Sequence, residues 1–309
     1  MSTYILGRGM VSSAIALLER DVTVIGRSII DFTDQNSVNK FFARLKPKNI
    51  YLCAAKVGGI NANQTLPAEF IYENLMIQSN VIHAAYKYGV EKLLFIGSSC
   101  IYPKVTEQPI KEDQLLTGSL ETTNEYYAIA KIAGLKMIEA YRKQYGCNFI
   151  SCMPTNLYGE NDSYDLDNNH VMPALIKKVV DAKFENKDSV EIWGDGSPLR
   201  EFLHVNDFAR ACKFLMKNYN DTGHINVGSG DIVSINELAM LICKILDFYP
   251  RFKHRLDMPN GTKEKSLDSS KINELGWSSV IKLEDGVRHL VNLYSNELQR
   301  KSKKNIGVL

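Results

Sequence analysis

Tyr4-Ile5-Leu6-Gly7-Arg8-Gly9-Met10-Val11-Ser12 decides the fold. A short apolar run, read as a strand, turns through two glycines into a segment with helical apolar spacing. Glycines at such a junction let the backbone approach a pyrophosphate, which the amides and dipole of a helix N-terminus attract. Gly7, Arg8, Gly9, Met10 and Val11 are therefore expected to cradle a dinucleotide. Ser12 takes the place of the usual third glycine, and the motif draws its weight from its position in the first strand–helix unit.

Outward from this turn, short apolar runs at residues 3–6, 22–25, 49–54, 92–97 and 148–153 alternate with helical patterns at 13–20, 37–45, 68–88 and 126–145. Strands apolar on both faces, separated by helices, predict an α/β chain with a Rossmann-type doubly wound parallel sheet. After Pro154 the pattern changes. Residues 159–169 read as a polar loop, 170–182 as a helix, 190–193 as a strand, 207–217 as a helix and 223–228 as a strand. Ser234 and Glu237 form a capping-box signature that opens a helix to about Asp247. A last helix is expected at 283–298, followed by a frayed basic tail. The expected organisation is a dinucleotide-binding domain over residues 1–158 and a smaller C-terminal α/β substrate lobe over 159–309. Part of 198–230 is expected to return to the first domain. Ligands of such folds bind beyond the C-terminal ends of the strands.

The second strand ends Val24-Ile25-Gly26-Arg27. An NAD-binding chain usually has an acidic residue there for the ribose hydroxyls, whereas a basic residue suits the extra phosphate of NADP. Arg27, joined by Arg8, therefore predicts NADPH/NADP, and Asp31 is expected nearer the adenine.

Tyr-x-x-x-Lys occurs three times, at Tyr88/Lys92, Tyr127/Lys131 and Tyr249/Lys253. Side chains four apart are neighbours only on a helix. Gly89 breaks the first pair and Pro250 the third. Tyr127 and Lys131 lie in a strong helical pattern, after a strand ending in Ser98-Ser99. A phenol can protonate a carbonyl oxygen as hydride reaches its carbon. A nearby ammonium is expected to lower the phenol's pKa, and the Ser98 hydroxyl to donate to the same oxygen. The plain alternative is an ordinary helix-surface pair.

With these features the sequence resembles the extended short-chain dehydrogenase/reductase family. Longer strings narrow the likeness: Ala54-Ala55-Lys56-Val57-Gly58-Gly59-Ile60, Gly97-Ser98-Ser99-Cys100-Ile101-Tyr102-Pro103, Asn124-Glu125, Met153-Pro154-Thr155-Asn156-Leu157-Tyr158-Gly159, His170-Val171-Met172-Pro173-Ala174, and Trp193-Gly194-Asp195-Gly196-Ser197-Pro198-Leu199-Arg200-Glu201-Phe202. Together they resemble the GDP-L-fucose synthases, from Leu6 to about Trp277.

The resemblance implies NADPH-dependent reduction of the C4 ketone of a GDP-linked 4-keto sugar, with epimerisation at C3 and C5. It implies Ser98, Tyr127 and Lys131 as the reductase triad and Cys100 and His170 as the epimerase acid/base pair. Ala54, Ala55, Asn156 and Leu157 are implied at the cofactor, and Lys178, Trp193, Arg200 and Lys265 at the GDP-sugar. It further implies a homodimer through the long helices 68–88 and 126–145. Read without it, Cys100 is a small core residue and His170 a helix N-terminal residue. The chain departs from the family at Ser12, at Tyr126 (usually proline), at Ser163-Tyr164 (usually Asn-Phe) and at Lys178 (usually arginine). These leave open a reductase without epimerase activity on another GDP-4-keto sugar, such as a heptose. Two readings of other classes are a non-catalytic NADP-binding regulator and an epimerase that retains NAD.

Bulk composition agrees with an ordinary globular chain: 309 residues, 45% hydrophobic, 23% charged, net charge +2. Nothing in that balance calls for nucleic acid or a membrane, and no apolar run reaches the roughly 20 residues of a membrane span. The six cysteines form no CxxC pair. Free thiols and the lack of a leader pattern at Met1 predict a cytoplasmic protein without metal.

Overall fold

The computed structural model of the chain describes residues 2–19, 21–164, 170–258 and 260–306. β1 (Thr3–Leu6) leads through α1 (Met10–Leu18) to β2 (Val22–Ile25), and α2 (Gln35–Leu45) returns the chain to β3 (Asn49–Leu52). α3 (Ile60–Thr65) and α4 (Pro67–Lys87) precede β4 (Lys92–Ile96), and α5 (Glu125–Tyr145) precedes β5 (Phe149–Pro154). The chain continues through β6 (Asn156–Tyr158), α6 (Val171–Phe184), β7 (Ser189–Trp193), β8 (Leu199–His204), α7 (Val205–Asn218) and β9 (Ile225–Val227). β10 (Ile232–Ser234), α8 (Ile235–Leu246), β11 (Arg251–Arg255), β12 (Glu264–Lys265), α9 (Ser270–Glu274) and α10 (Leu283–Ile306) complete it.

Six strands form a parallel sheet in the order β2-β1-β3-β4-β5-β9. Every residue of β4 and β5 is buried, as strands covered on both faces must be. On one face, Phe42, Val81, Phe95, Leu135 and Phe149 pack from α2, α4 and α5 and the sheet. On the other, Ile15, Leu94, Ile150, Phe208 and Leu215 pack with α1 and α7. Because β2 and β3 flank β1 on opposite sides, the strand order reverses at β1/β3, and a crevice opens at their C-terminal ends.

A third core, with Ile176, Val190, Phe202, Ile242, Val287 and Val291, joins α6, α8 and α10 to the remaining strands. β8 is the hinge between the two regions: it pairs β10 and β12 through its first half and β6 through its second. α7 and β9 then carry the chain back to the large sheet.

Several elements differ from expectation. α1 begins at Met10 because Ser12 closes its first turn, accepting from Gly9 N–H at 2.7 Å and donating to Gly9 O at 2.9 Å. α10 runs to Ile306 through the tail expected to fray; its polar residues are good helix formers, with no breaker before Gly307. Tyr249/Lys253 leads into a strand, β11, which pairs with β7. Of the loop expected over 159–169, residues 165–169 lie outside the described residues. Among the described residues no helix is long and apolar enough to cross a membrane.

Candidate active site

The crevice begins at Gly7, whose φ of +111° suits glycine and whose added Cβ would lie 2.6 Å from Ala54 N. β1 and β3 therefore close on each other with no room for a side chain, while an added Cβ on Gly9 would meet nothing within 4 Å. Met10 and Val11 supply first-turn N–H groups that a helix leaves unpaired. Ser12 is buried, points inward and reinforces this turn, so its replacement of glycine leaves the cradle intact. These features fit a dinucleotide pyrophosphate.

Further along the groove, Arg8 is exposed and packs its stem over Gly26. Arg27 is exposed and ion-paired with Glu73 of α4, which also accepts from Lys56 at 2.8 Å. Arg27, Asp31, Thr33, Tyr72 and Glu73 line one shallow depression. Asp31 Oδ1 accepts from the backbone N–H and hydroxyl of Thr33, which hold its carboxyl below the ordinary value. Asn74, buried on α4, clamps the Lys56 backbone beyond Ala54 and Ala55 with two 3.0 Å bonds.

Tyr127 and Lys131 share one face of α5, beneath the end of β4. Lys131 is buried, donates to Ile96 O at 2.9 Å, and lies 4.9 Å from the Phe95 ring centroid and 5.8 Å from that of Tyr127. Burial pushes its ammonium down to about 8. Burial, then Cys100, pushes the Tyr127 phenol above the ordinary tyrosine value, and a hydrogen bond with Ser98 pulls it back. Against expectation, Lys131 is not among the causes of this shift: its ammonium is turned to the Ile96 carbonyl, and desolvation dominates.

Cys100 lies on the turn after β4, where the Ser98 hydroxyl accepts from its N–H at 3.2 Å. Its Sγ accepts from Asn124 Nδ2 at 3.2 Å and Lys265 Nζ at 3.5 Å. β12 pairs Lys265 directly with Arg200 of β8. Arg200 donates to Leu199 O at 2.8 Å and Thr262 O at 2.7 Å. Ser98, Cys100, Tyr127, Lys131, Arg200 and Lys265 are therefore gathered at one end of the sheet. His170 is exposed at the N-cap of α6 and faces Asp162; among the described residues no hydrogen bond links it to Cys100 or Tyr127.

Lys178 Nζ stands 5.6 Å from the centroid of a Trp193 ring and donates to Glu191 O at 3.2 Å. The pair offers a cation beside a partly exposed aromatic face. Tyr164 packs on Tyr294 of α10, ring centroids 4.4 Å apart, so this departure from the family is absorbed by lobe packing. Asn156 Nδ2 donates to Glu201 O at 2.8 Å, and Leu157 pairs with Leu203.

Glu201 received no role from the sequence. It is fully buried, and its carboxylate accepts three backbone N–H groups at 2.8 Å, from Ser229, Gly230 and Leu267. It thereby ties β8 to the loop after β9 and to the segment after Lys265. The legible signal was an acid between Arg200 and the apolar pair Phe202-Leu203.

A parallel sheet with this cradle, and a Ser–Tyr–Lys cluster at its β4 end, defines a dinucleotide-dependent enzyme of the short-chain dehydrogenase/reductase type. The chain belongs to the NAD dependent epimerase/dehydratase family, whose model matches residues 5–228, and within it to the GDP-L-fucose synthases. It is 51% identical over 292 residues to GDP-L-fucose synthase 1 of Arabidopsis thaliana, covering 93% of this chain and 90% of the relative. It is 51% identical over 284 residues to the GDP-L-fucose synthase of Sinorhizobium fredii, covering 91% and 90%. The GDP-mannoheptose C4 reductase of Campylobacter jejuni, solved with NADP bound, superposes with a TM-score of 0.86 at 35% identity, covering 95% and 98%.

Proposed function

We propose that this chain converts GDP-4-keto-6-deoxy-D-mannose to GDP-L-fucose, epimerising C3 and C5 and reducing C4 with NADPH. The reading rests on half-identity to GDP-L-fucose synthases over nine-tenths of their length. The observation that carries the chemistry is the convergence of Cys100 on the Ser98–Tyr127–Lys131 cluster, which puts a proton-exchanging thiol beside the phenol that serves the reduction.

NADPH, when bound, supplies the hydride. Gly7, Gly9, Met10 and Val11 hold its pyrophosphate, Arg8 and Arg27 its 2′-phosphate and Asp31 its adenine end. Ala54, Ala55, Asn156 and Leu157 line the cofactor. Tyr127 gives its proton to the C4 oxygen, and the Ser98 hydroxyl donates a second hydrogen bond there. Lys131 fixes the phenol's surroundings from the buried side. Protons at C3 and C5 are acidified by the ketone between them, since the anion spreads onto its oxygen. Cys100 and His170 remove and return them on opposite faces. Trp193 and Lys178 hold the guanosine diphosphate, with Arg200 and Lys265 at its sugar.

Changing Tyr127→Phe tests the assignment: turnover is expected to fall about 10²–10⁴-fold, with NADPH still bound by fluorescence. Unchanged turnover overturns it. A second reading, a C4 reductase on a GDP-heptose without epimerisation, is favoured by the structural likeness to the heptose reductase. Cys100 and His170 are both present, and deuterium uptake from solvent at C3 and C5 decides between the two readings.

The chain is read as a homodimer through α4 and α5, where Tyr72, Tyr86, Tyr126, Ile129 and Tyr145 stand exposed. A monomer mass in light scattering at micromolar concentration contradicts this. We place the enzyme in the cytoplasm, a reading supported by its six unpaired cysteines.

A further inference from the structure

The guanidinium of Arg27, read above as the holder of the NADPH 2′-phosphate, is engaged by an anion of the chain itself. Arg27 Nη2 donates to Glu73 Oε2 on α4, 46 residues further along the chain. The second oxygen of Glu73, Oε1, accepts from Lys56 Nζ at 2.8 Å, and Lys56 also pairs with Glu69. Burial alone would raise the Glu73 carboxyl, but Lys56 and Arg27 together hold it below the ordinary value, so it is charged at neutral pH. Asp31 faces the same guanidinium, yet its Oδ1 is committed to the N–H and hydroxyl of Thr33.

The two partners are held unequally. The Lys56 backbone is clamped by Asn74, the neighbour of Glu73 on α4, and its ammonium lies 5.9 Å from the Phe70 ring centroid. Arg27 keeps 59% of its side chain exposed, against 20% for Glu73 and 19% for Lys56. Glu73 is thus the anchored partner, and Arg27 the one with room to change partners. Lys56 keeps Glu73 paired when it does, so no charge is stranded. As a brace for the fold, an ion pair this exposed contributes little. As a competitor it matters more, because N–H groups given to a carboxylate cannot serve a phosphate at the same time. Both residues line the same depression beside the end of β2, so an anion that reaches Arg27 meets Glu73 there.

We propose that Glu73 is a specificity-determining residue of the cofactor site, an internal rival anion that Arg27 exchanges for the 2′-phosphate of NADPH. The inference rests on the cofactor site proposed above. Arg27 makes this exchange only for a stronger anion. A phosphate monoester carries about −1.5 to −2 near neutral pH and displaces a single carboxylate. The ribose hydroxyl of NADH is neutral and leaves the pair closed. After reduction of the sugar, the Glu73 carboxylate is at hand to take Arg27 back, which eases release of NADP. The exchange is one of ion partners alone, with no covalent step.

Calorimetric titration of the full-length protein with 2′,5′-ADP and with 5′-AMP separates the phosphate contact from the rest of the adenosine site. Glu73→Gln keeps the volume and removes the charge. It is expected to tighten 2′,5′-ADP about fivefold and to move 5′-AMP by less than about twofold, the scale of one exposed ion pair. In an Arg27→Met background the same change is expected to shift 2′,5′-ADP by less than about twofold, because the two residues act as a coupled pair. A brace for the fold predicts otherwise: its loss weakens both ligands together. Unchanged or weaker binding of 2′,5′-ADP by Glu73→Gln overturns the proposal. Glu73→Ala is expected to give the same tightening and decides the matter should the glutamine variant not fold. A parent that binds 2′,5′-ADP no more tightly than 5′-AMP overturns the placing of the 2′-phosphate at Arg27, and the proposal with it, so the two failures are read apart.

Discussion

Glu201→Gln is the most informative single change for the framework that holds the site. One carboxylate oxygen accepts from Ser229 and Gly230 and the other from Leu267, all at 2.8 Å and fully buried. Burial pushes the carboxyl above its ordinary value, and the N–H bonds offset part of that rise. The surroundings offer it three donors, a set that fits the ionised form. Glutamine keeps the volume but must turn one NH₂ toward a backbone N–H. One charge-assisted bond is lost, a donor faces a donor, and the other two bonds weaken to neutral ones. At roughly 1.5–3 kcal/mol for a bond to a charged group, the sum is about 3 kcal/mol. A chain of this size shifts by about 2 °C per kcal/mol, so calorimetry should show Tm falling by about 6 °C. Arg200 precedes Glu201 and Lys265 lies two residues before Leu267, so KM for the nucleotide sugar should rise as well. A Tm within about 1 °C of the parent refutes the reasoning, since it would mean that the nest holds no charge.

Two other changes probe separate parts of the molecule. Gly7→Ala drives a Cβ against the backbone of Ala54 and Cys53 at a φ of +111°; about 3–5 kcal/mol of strain and overpacking is expected, with NADPH affinity, read by fluorescence, falling more than about tenfold, and unchanged affinity contradicts the cradle. Buried His224 is pushed down to about 4, first by burial and then by Lys271 and Lys136. Because Tyr102 gives its proton to Asn226 Oδ1 at 2.6 Å, the 3.0 Å contact makes His224 Nε2 the donor to Tyr102, in neutral imidazole. The unfolded chain binds this proton more readily, so the stability is full above about pH 6.5 and is lost as pH falls toward 4. At pH 4.5 the loss is about 2.5 kcal/mol. His224→Gln should flatten the fall in Tm over that window, and an equally steep fall removes His224 from the account.

The parallel sheet was legible because its strands are apolar on both faces and its turns carry glycine. Tyr127/Lys131 was separable from its two rivals because Gly89 and Pro250 break the helical spacing; Gly89 sits at φ +71° before β4. Of the smaller strands β7 was legible, whereas β6, β8, β10, β11 and β12 were not. β11, Arg-Phe-Lys-His-Arg, is mostly exposed and becomes a strand only through its pairing with β7, some sixty residues earlier. Glu201 and Asn124 stood inside quoted strings, yet their partners lie 28, 29 and 66 residues away for the first and 24 for the second. No local pattern encodes such contacts. Ser12 was misleading in the other direction: counted as a lost glycine, it is a buried hydroxyl that caps the cradle's own helix.

The central claim is that one site first trades protons beside a ketone and then reduces it. Incubating the enzyme with GDP-4-keto-6-deoxy-D-mannose and NADPH in D₂O, and reading the product by NMR, tests it most directly. The account predicts GDP-L-fucose with deuterium at C3 and C5 and protium at C4. A reduced product that keeps its original hydrogens and configuration at C3 and C5 contradicts it.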